Sequence, residues 1–391
     1  MNDERIGGRA VTRRAILTGG TAMLMMRGAS AQDRQATIYA YVGCFTTAQR
    51  YARGDGIHVY RVNMETGEWS PVQQVTNLVN PSFLALGSDL RLLFSVHGDE
   101  DYATSFSVDR TSGKLALLNR AATGGRNGVH LAIDRTGRFM IVANYSSGNV
   151  SVMPVREDGT LGDAAQVVPL PGQPGPNRVE QAGSHPHHIV FDPSGRFVVV
   201  PDKGLDRIFV FRFDPTRGNL TPTAQGSATA RSGSGPRHAA FHPTLPVLWV
   251  VNEIGSTVAT YYWDAERGHL RPVQILPALP SDCTGENTSA EIAVSSHGRF
   301  VYCSNRGHDS IAIFASDANT GLLRSLGWVP TQGRNPRFIG FDPSQRFLYA
   351  ANEQSDTVIA WRANPETGLL TPVGRPVPNA SPVTIAFSRR D

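Results

Sequence analysis

Residues 185–214 read HPHHIVFDPSGRFVVVPDKGLDRIFVFRFD, and this stretch decides the fold. It holds three short runs rich in β-branched and aromatic residues, separated by the turn sequences DPSG and KGLD. Related phrases begin at Gly235, Ser289 and Asn335. Self-similarity at a period of about fifty residues is typical of repeat architectures. The sequence therefore predicts a chain built from one repeated β-unit.

Seven such units account for the chain after its first thirty or so residues. The turn between their first two strands falls at Gly87, Asp134, Asp192, His242, Ser295, Asp342 and Ser388. Each unit has room for four short strands, a pattern that predicts an all-β fold, the seven-bladed β-propeller. The unit that opens with Thr37 to Phe45 lacks its first strand, and Ser381 to Ser388 supplies the missing pattern. We therefore expect a ring closed by strands from both termini.

Composition excludes several classes of function. The 391 residues carry a net charge of +4, and five of the arginines lie in the first 27 residues. The remainder has no dense basic run, so a nucleic-acid partner is not expected. No stretch is long and apolar enough for a membrane span. The three cysteines show neither disulfide nor zinc spacing, and Cys44 and Cys303 are predicted to be small buried residues.

The first 31 residues have the features of a targeting signal. Arg13 and Arg14 precede a weakly apolar stretch, and Ala29-Ser30-Ala31 provides a cleavage site. This pattern resembles a twin-arginine (Tat) signal, which predicts contact with the Tat export machinery and a periplasmic location. A disordered basic tail is the alternative. The predicted organisation is a signal peptide over residues 1–31 and one propeller domain over residues 32–391.

The repeat also predicts where the chemistry lies. In a propeller blade the start of the first strand and the end of the second strand reach the same rim of the central channel. Charged residues that differ between the blades occupy these two positions: His187, Arg237, Arg337, Lys203, Glu253, Arg306 and Glu353. We interpret this ring as the functional site. The alternative is a network of salt bridges that only plugs the channel.

Two further features are interpreted as structural. A near-uniform polar series precedes the second set of ring positions: His97, Asn144, Asp202, Asn252, Asn305 and Asn352. Such side chains satisfy the backbone groups of loops. The longest insertion, Leu170 to Gln181, is rich in Pro and Gly. It is expected to be a loop over one end of the ring.

Several phrases resemble those of a known family. HPHHIVFDPSGRF, GPRHAAFHP, VVNE and CSNRGHDSIAIF, in this order, look like the lactonase family of seven-bladed propellers, which includes 6-phosphogluconolactonases and 3-carboxy-cis,cis-muconate cyclases. The resemblance covers the chain after the leader. It implies an active site of one His, two Arg and one Glu on the channel face. By motif position these fall on His187, Arg237, Arg306 and Glu253.

The resemblance implies hydrolysis of a small-molecule lactone, such as that of a sugar acid, without a cofactor. Glu253 or His187 would take the proton of water, and the two arginines would hold the oxyanion. Arginines on both sides of Glu253 should lower its pKa, which favours His187, whose usual pKa suits neutral conditions. Four further residues are predicted to contact substrate: Lys203, Arg337, His238 and Glu353.

Alternatives to lactone hydrolysis stay open at this point. The same groups run in reverse would close a muconate ring. His185 and His187 with Glu253 offer ligands for a cation, but the adjoining arginines oppose it, so no metal is expected. A non-catalytic propeller that binds a protein partner is a further alternative, because a fold does not determine a function.

Overall fold

The computed structural model describes residues 38–388, whose strands form seven four-stranded antiparallel sheets. This confirms the predicted all-β, seven-bladed propeller. The predicted signal, Met1 to Ala31, lies outside the described residues. Among residues 38–388 the one helical element is a 3₁₀ turn, Ala48–Arg50, so nothing there has the length and apolarity of a membrane-crossing helix.

The blades follow one another in chain order. Blade 1 contains β28 (Pro382–Phe387), β1 (Ile38–Cys44), β2 (Ile57–Val62) and β3 (Trp69–Val75). Blades 2 and 3 contain β4 (Pro81–Leu86), β5 (Leu92–His97), β6 (Tyr102–Val108), β7 (Leu115–Ala122), β8 (Gly128–Ile133), β9 (Phe139–Asn144), β10 (Asn149–Pro154) and β11 (Gln166–Pro169). Blades 4 and 5 contain β12 (Val190–Phe191), β13 (Phe197–Asp202), β14 (Arg207–Asp214), β15 (Asn219–Thr229), β16 (Pro236–Phe241), β17 (Val247–Asn252), β18 (Thr257–Asp264) and β19 (His269–Pro277). Blades 6 and 7 contain β20 (Thr288–Val294), β21 (Phe300–Arg306), β22 (Ser310–Ser316), β23 (Leu323–Pro330), β24 (Pro336–Phe341), β25 (Phe347–Asn352), β26 (Thr357–Ala363) and β27 (Leu370–Pro378).

Strands from opposite ends of the described chain close the ring, as predicted. β28 pairs with β1 in antiparallel register, with Ala40 opposite Phe387 and Val42 opposite Ile385. The Tyr39 backbone N–H donates to Ser388 Oγ over 2.8 Å, and the Ser388 N–H donates to the Tyr39 carbonyl over 2.8 Å. The first blade is therefore incomplete without a strand that follows all the others in the sequence.

The hydrophobic core lies between neighbouring blades. Every residue of β13 and of β17 is buried, because each strand is covered on both faces by the adjoining sheets. One cluster joins Val198 and Val200 of blade 4 to Val150 and Val152 of blade 3. The outermost strands are largely exposed, and β27 shows this most clearly. Packing between sheets thus fixes the blades around the channel.

Side-chain acceptors explain why the turn position recurs. Asp192 accepts hydrogen bonds from the backbone N–H groups of Ser194 and Phe197, at 3.2 and 2.8 Å. Such Asx turns reverse the chain between the first and second strands. The turn after the third strand of blade 4 uses glycine. Gly218 has a φ of 69°, and a Cβ there would lie 2.2 Å from the Phe139 ring of blade 3.

A β-bulge interrupts the start of most first strands. The pairing register shifts between Pro236 and His238 in β16, and between Ser289 and Ile292 in β20. In blade 4 the regular strand shortens to Val190–Phe191, and His187 joins the sheet through a bond from its N–H to the Pro201 carbonyl. Bulges re-aim side chains at such rims. Here they bring successive residues to the channel axis.

Candidate functional site

The predicted charged residues do meet at one end of the channel, in two sets. His187, Arg237 and Arg337 come from the starts of first strands, close to the axis. The other set lies at or directly after the ends of second strands and consists of Lys203, Glu253, Arg306 and Glu353. Antiparallel pairing places the two sets at the same rim, as with Pro236 opposite Asn252 beside Arg237 and Glu253.

Glu253 is the centre of a buried ion cluster. Lys203 Nζ donates to its Oε1 over 2.9 Å. On the other oxygen, Arg306 Nη2 lies 3.1 Å and Arg237 Nε 2.8 Å from Oε2, although the Arg237 N–H is not aligned for a hydrogen bond. The Glu253 side chain is only 9% exposed and that of Lys203 4%. Both carboxylate oxygens are therefore occupied by cations.

The charges in this cluster determine one another's ionisation. Burial alone would raise the pKa of Glu253, but Arg306, Lys203 and Arg237 outweigh it and hold that pKa well below its usual range. Burial would likewise lower the pKa of Lys203, yet Glu253 raises it above its ordinary value. The expected lowering for Glu253 is confirmed. A carboxylate held in this way is a weak base.

A narrow pocket opens beside the cluster at the channel mouth. Its wall includes His187, Arg237, His238, Glu291 and Arg337. The free volume is about 20 Å³, roughly the space of one water molecule. The pocket is therefore narrow between these side chains.

The pocket divides the predicted ring into residues that can touch a ligand and residues that support them. Arg237 belongs to both groups, because its Nη1 donates to the Ala290 carbonyl over 2.7 Å while its Nε lies on Glu253. Lys203, Glu253 and Arg306 are not part of the wall formed by the described residues. Of the seven predicted residues, His187, Arg237 and Arg337 line the pocket, and the other four lie behind its wall.

His187 faces the pocket with a neutral ring. Burial lowers its pKa well below the usual value, and Arg237 adds to this. The expectation that His187 keeps a pKa suited to neutral conditions is therefore wrong, because the ring is buried and lies near cations. Its Nδ1 is buried and has no hydrogen-bond partner among the described residues. This nitrogen is therefore an unsatisfied polar atom within residues 38–388.

Arg337 is held on the other side of the pocket. Its Nη1 lies 3.6 Å from Glu353 Oε2, and Asn335 Nδ2 donates to the same oxygen over 2.8 Å. The guanidinium carbon of Arg337 lies 4.9 Å from the centroid of the Phe45 ring, and that of Arg50 lies 4.5 Å from it. Phe45 and Arg50 also line the pocket. The sequence interpretation missed Phe45, which follows β1 as Glu253 follows β17, because its unit is divided between β28 and β1. It missed Arg50 because that residue lies in the 3₁₀ turn outside the repeated strands.

The predicted loop after Leu170 lies at this end of the ring. Glu180 Oε2 contacts Lys203 Nζ at 2.5 Å, and Gln181 Nε2 donates to the Lys203 carbonyl over 2.9 Å. The insertion thus supplies a second carboxylate to Lys203. Glu180 could not be found by repeat alignment, since no equivalent segment exists in the other units.

Sequence interpretation also missed Glu291. It follows Ala290, the residue that occupies the ring position in blade 6, and the bulge in β20 turns the Glu291 side chain into the pocket. His238 Nδ1 lies 2.7 Å from Glu291 Oε1. Burial raises the pKa of Glu291 to about 7. Reading two successive positions of each unit, rather than one, would have found it.

The uniform polar series has the structural role that was predicted. Asn305 Nδ2 donates to the Ala278 carbonyl over 2.8 Å, and Asn352 Nδ2 donates to that of Thr331 over 3.2 Å. Asp202 accepts from the N–H groups of Gly204 and Leu205. Cys44 and Cys303 are buried, also as predicted. Within residues 38–388, no three His, Cys, Asp or Glu side chains are grouped so as to hold a metal ion.

Known proteins resemble this chain over nearly all of its described length. A family model described as lactonase, 7-bladed beta-propeller, matches residues 39–387. The 6-phosphogluconolactonase of Bacillus subtilis is 33% identical over 307 residues, which is 78% of this chain and 85% of that protein. The 6-phosphogluconolactonase of Formosa agariphila is 32% identical, over 78% of this chain and 86% of its own length.

A solved structure shows the same architecture. The periplasmic gluconolactonase of Pseudomonas aeruginosa superposes with a TM-score of 0.83 at 28% identity, covering 90% of this chain and 99% of its own. Fold and sequence therefore agree about the group of proteins to which this chain is similar.

Proposed function

This chain belongs to the lactonase family of seven-bladed β-propellers, and from that membership we propose that it hydrolyses the lactone of a sugar acid. The observation that carries the proposal is Arg237. Its guanidinium lies in the pocket wall and is fixed from behind by Glu253 and the Ala290 carbonyl. A pre-oriented cation is what the oxyanion of lactone hydrolysis requires.

The other pocket residues fit roles in binding the substrate. Arg337, anchored by Glu353, supplies a second positive charge for a carbonyl or acidic group of the substrate. His187 offers an unpartnered nitrogen for a sugar hydroxyl. Lys203 and Arg306 neutralise Glu253, so that this residue positions Arg237 rather than receiving a proton. The muconate cyclase alternative has no such support, because the relatives described above are named for lactone hydrolysis.

The place of action in this proposal is the periplasm. Two considerations support it: the Tat-like pattern around Arg13 and Arg14, and the similarity to a periplasmic gluconolactonase. An unphosphorylated sugar lactone is the substrate that this location favours. The arginines at the mouth also suit a phosphate group, so the two substrate classes have to be separated by experiment.

The test is a lactone panel with residues 32–391. Glucono-1,5-lactone, its 6-phosphate and a five-membered aldonolactone are supplied at pH 6.5, and proton release is followed above the spontaneous rate. Activity should be greatest on the unphosphorylated lactone and should survive dialysis against EDTA, since the proposed chemistry uses no metal. His187→Ala should reduce kcat/KM about tenfold, the scale of one lost hydrogen bond to the substrate. Arg267→Ala, at a side chain 81% exposed, is the matched control. If the protein accelerates the hydrolysis of none of these lactones, the non-catalytic alternative is favoured.

A further inference from the structure

A second row of side chains reaches the axis next to the predicted ring. His130, His188, His238 and Glu291 occupy equivalent positions in blades 3 to 6, each one residue after a ring position. The ring centroids of His130 and His188 are 4.0 Å apart, and those of His188 and His238 4.4 Å. His130, His238 and Glu291 are buried. A row of tilted imidazoles that ends in a buried carboxylate is unusual for packing alone, because burial of polar groups is costly.

The end of this row has the geometry of an acid–base pair. His238 Nδ1 lies 2.7 Å from Glu291 Oε1, while His238 Nε2 is buried and has no hydrogen-bond partner among the described residues. Both residues line the pocket that contains Arg237. We propose that His238 is the general base that activates water in this pocket, and that Glu291 positions it by accepting its Nδ1 hydrogen. This inference rests on the proposed lactonase function.

Neither residue implied by the family resemblance is as well placed to take the proton. Both oxygens of Glu253 are held by Lys203, Arg237 and Arg306. His187 has no carboxylate on its ring nitrogens among the described residues. Of the three residues, only His238 combines one ring nitrogen that has no hydrogen-bond partner with a carboxylate on the other ring nitrogen. That arrangement stabilises the imidazolium formed when water is deprotonated.

The reaction balances with these groups alone. His238 Nε2 removes a proton from water as the water oxygen bonds to the lactone carbonyl carbon, and the carbonyl π pair moves to the oxygen held by Arg237. Collapse of this tetrahedral intermediate breaks the ring C–O bond. The proton on His238 then passes to the departing alkoxide. The product is the open hydroxy acid, and His238 returns to its neutral form.

The surroundings of the pair predict its pH dependence. The ionisable groups that face it are His130, His187, His188, Arg237, Glu253, Arg306 and Arg337. Burial lowers the pKa of His238 well below the usual value, and burial raises the pKa of Glu291 to about 7. Above that pH the Glu291 carboxylate accepts the Nδ1 hydrogen and leaves the Nε2 lone pair free. As pH falls through about 7 the pair gains a proton, and activity should decline.

The experiment compares pH profiles of kcat/KM on glucono-1,5-lactone and its 6-phosphate. Between pH 5.5 and 8.5, with the spontaneous rate subtracted, the wild type should show an acidic limb near pH 7. His238→Asn should lower kcat/KM about a hundredfold or more. Glu291→Gln keeps the shape but not the charge, so it should lower kcat/KM and remove the limb near pH 7. Asp55→Asn is the matched control, because Asp55 also pairs with a histidine, His58, at 2.6 Å but does not line the pocket.

Each outcome decides something. A wild-type enzyme with a flat profile, or one whose limb persists in a folded Glu291→Gln variant, overturns the assignment while leaving the lactonase function intact. Retained activity in His238→Asn does the same. A wild-type protein that hydrolyses no lactone overturns the proposed function and this inference with it. Folding is checked by circular dichroism. Should Glu291→Gln not fold, the wild-type profile and His238→Asn decide the question.

Discussion

Arg237 Nε and Glu253 Oε2 lie 2.8 Å apart across the first two strands of one blade, and each residue is almost fully buried. The contact joins the pocket wall to the ion cluster behind it. Three cations share the single Glu253 carboxylate within that cluster, while Glu180 reaches Lys203 from the surface loop. Glu253 is thus the residue on which the arrangement of positive charge at the channel mouth depends.

We predict that Glu253→Gln destabilises the protein strongly. The substitution leaves the charges of Lys203, Arg237 and Arg306 without their shared carboxylate, and removal of one partner from a buried ion pair costs about 3 to 5 kcal/mol. Urea unfolding followed by circular dichroism measures the change. Glu266→Gln is the control, since Glu266 is 87% exposed and lies 3.7 Å from Arg196. Equal stability of the two variants would show that the cluster contributes little.

Arg237→Ala and Arg306→Ala should affect catalysis differently. Arg237 lines the pocket and should hold the oxyanion, so its loss should lower kcat by about a hundredfold or more. Arg306 contacts Glu253 from behind the wall, and its loss should cost much less in kcat. Steady-state kinetics on the best substrate of the lactone panel separates the two. A larger effect for Arg306 would place the substrate on the other side of the cluster.

Glu291 should make stability depend on pH in the direction opposite to most carboxyl groups. Its pKa is raised from 4.5 to about 7 in the folded protein, so the folded state holds this proton more tightly than the unfolded chain does. The associated stability is present below about pH 4.5 and is lost as pH rises through about 7. Glu291→Gln removes this pH-dependent loss of stability. Relative to wild type, the free energy of unfolding of the variant should rise by up to about 3 kcal/mol between pH 4.5 and pH 8, which is seen as a higher Tm at pH 8. A difference in Tm that does not change with pH would contradict the raised pKa.

Truncation before Ser381 should prevent the ring from closing. Removal of β28 leaves one edge of β1 unpaired and exposes apolar surface between blades 1 and 7. We expect aggregation or a large fall in Tm. A permuted chain that carries residues 381–388 in front of residue 38 is the control, because Ser388 already lies beside Tyr39 and a short turn would restore the strand. A soluble truncated chain with an unchanged Tm would show that closure is dispensable.

The leader should direct export through the Tat pathway. Residues 1–31 fused to a reporter are expected to carry it to the periplasm, and replacement of both Arg13 and Arg14 by Lys should abolish the transfer. Fractionation of cells that express the two fusions measures this. Export that continues without the arginine pair would favour a different pathway.

Much of the fold follows from the repeat. The turn at Asp192 recurs at Asp134 and Asp342 because a side-chain acceptor closes these hairpins, and this local requirement is visible in a sequence. The closing strand at Ser381 to Ser388 could be predicted because one unit lacked what the others possess. The rim positions of His187, Arg237 and Glu253 followed from antiparallel pairing alone.

What the repeat did not reveal depends on departures from regular pairing. The bulge in β20 decides that Glu291, and not only its neighbour Ala290, turns into the channel. Glu180 reaches the site from an insertion that has no counterpart in other units. The neutral state of His187 depends on burial and on charges that include Arg237 and Arg337 from two other blades, which no local pattern encodes.

The pairing of β28 with β1 sets the timing of folding during synthesis. Tyr39 and Ser388 bond across a separation of 349 residues, and β28 is the last of the described strands to leave the ribosome. Six blades can fold as they appear, because each consists of consecutive strands, but blade 1 waits for β28. A chain that ends before β28 would therefore present an open β1 edge to proteases and chaperones.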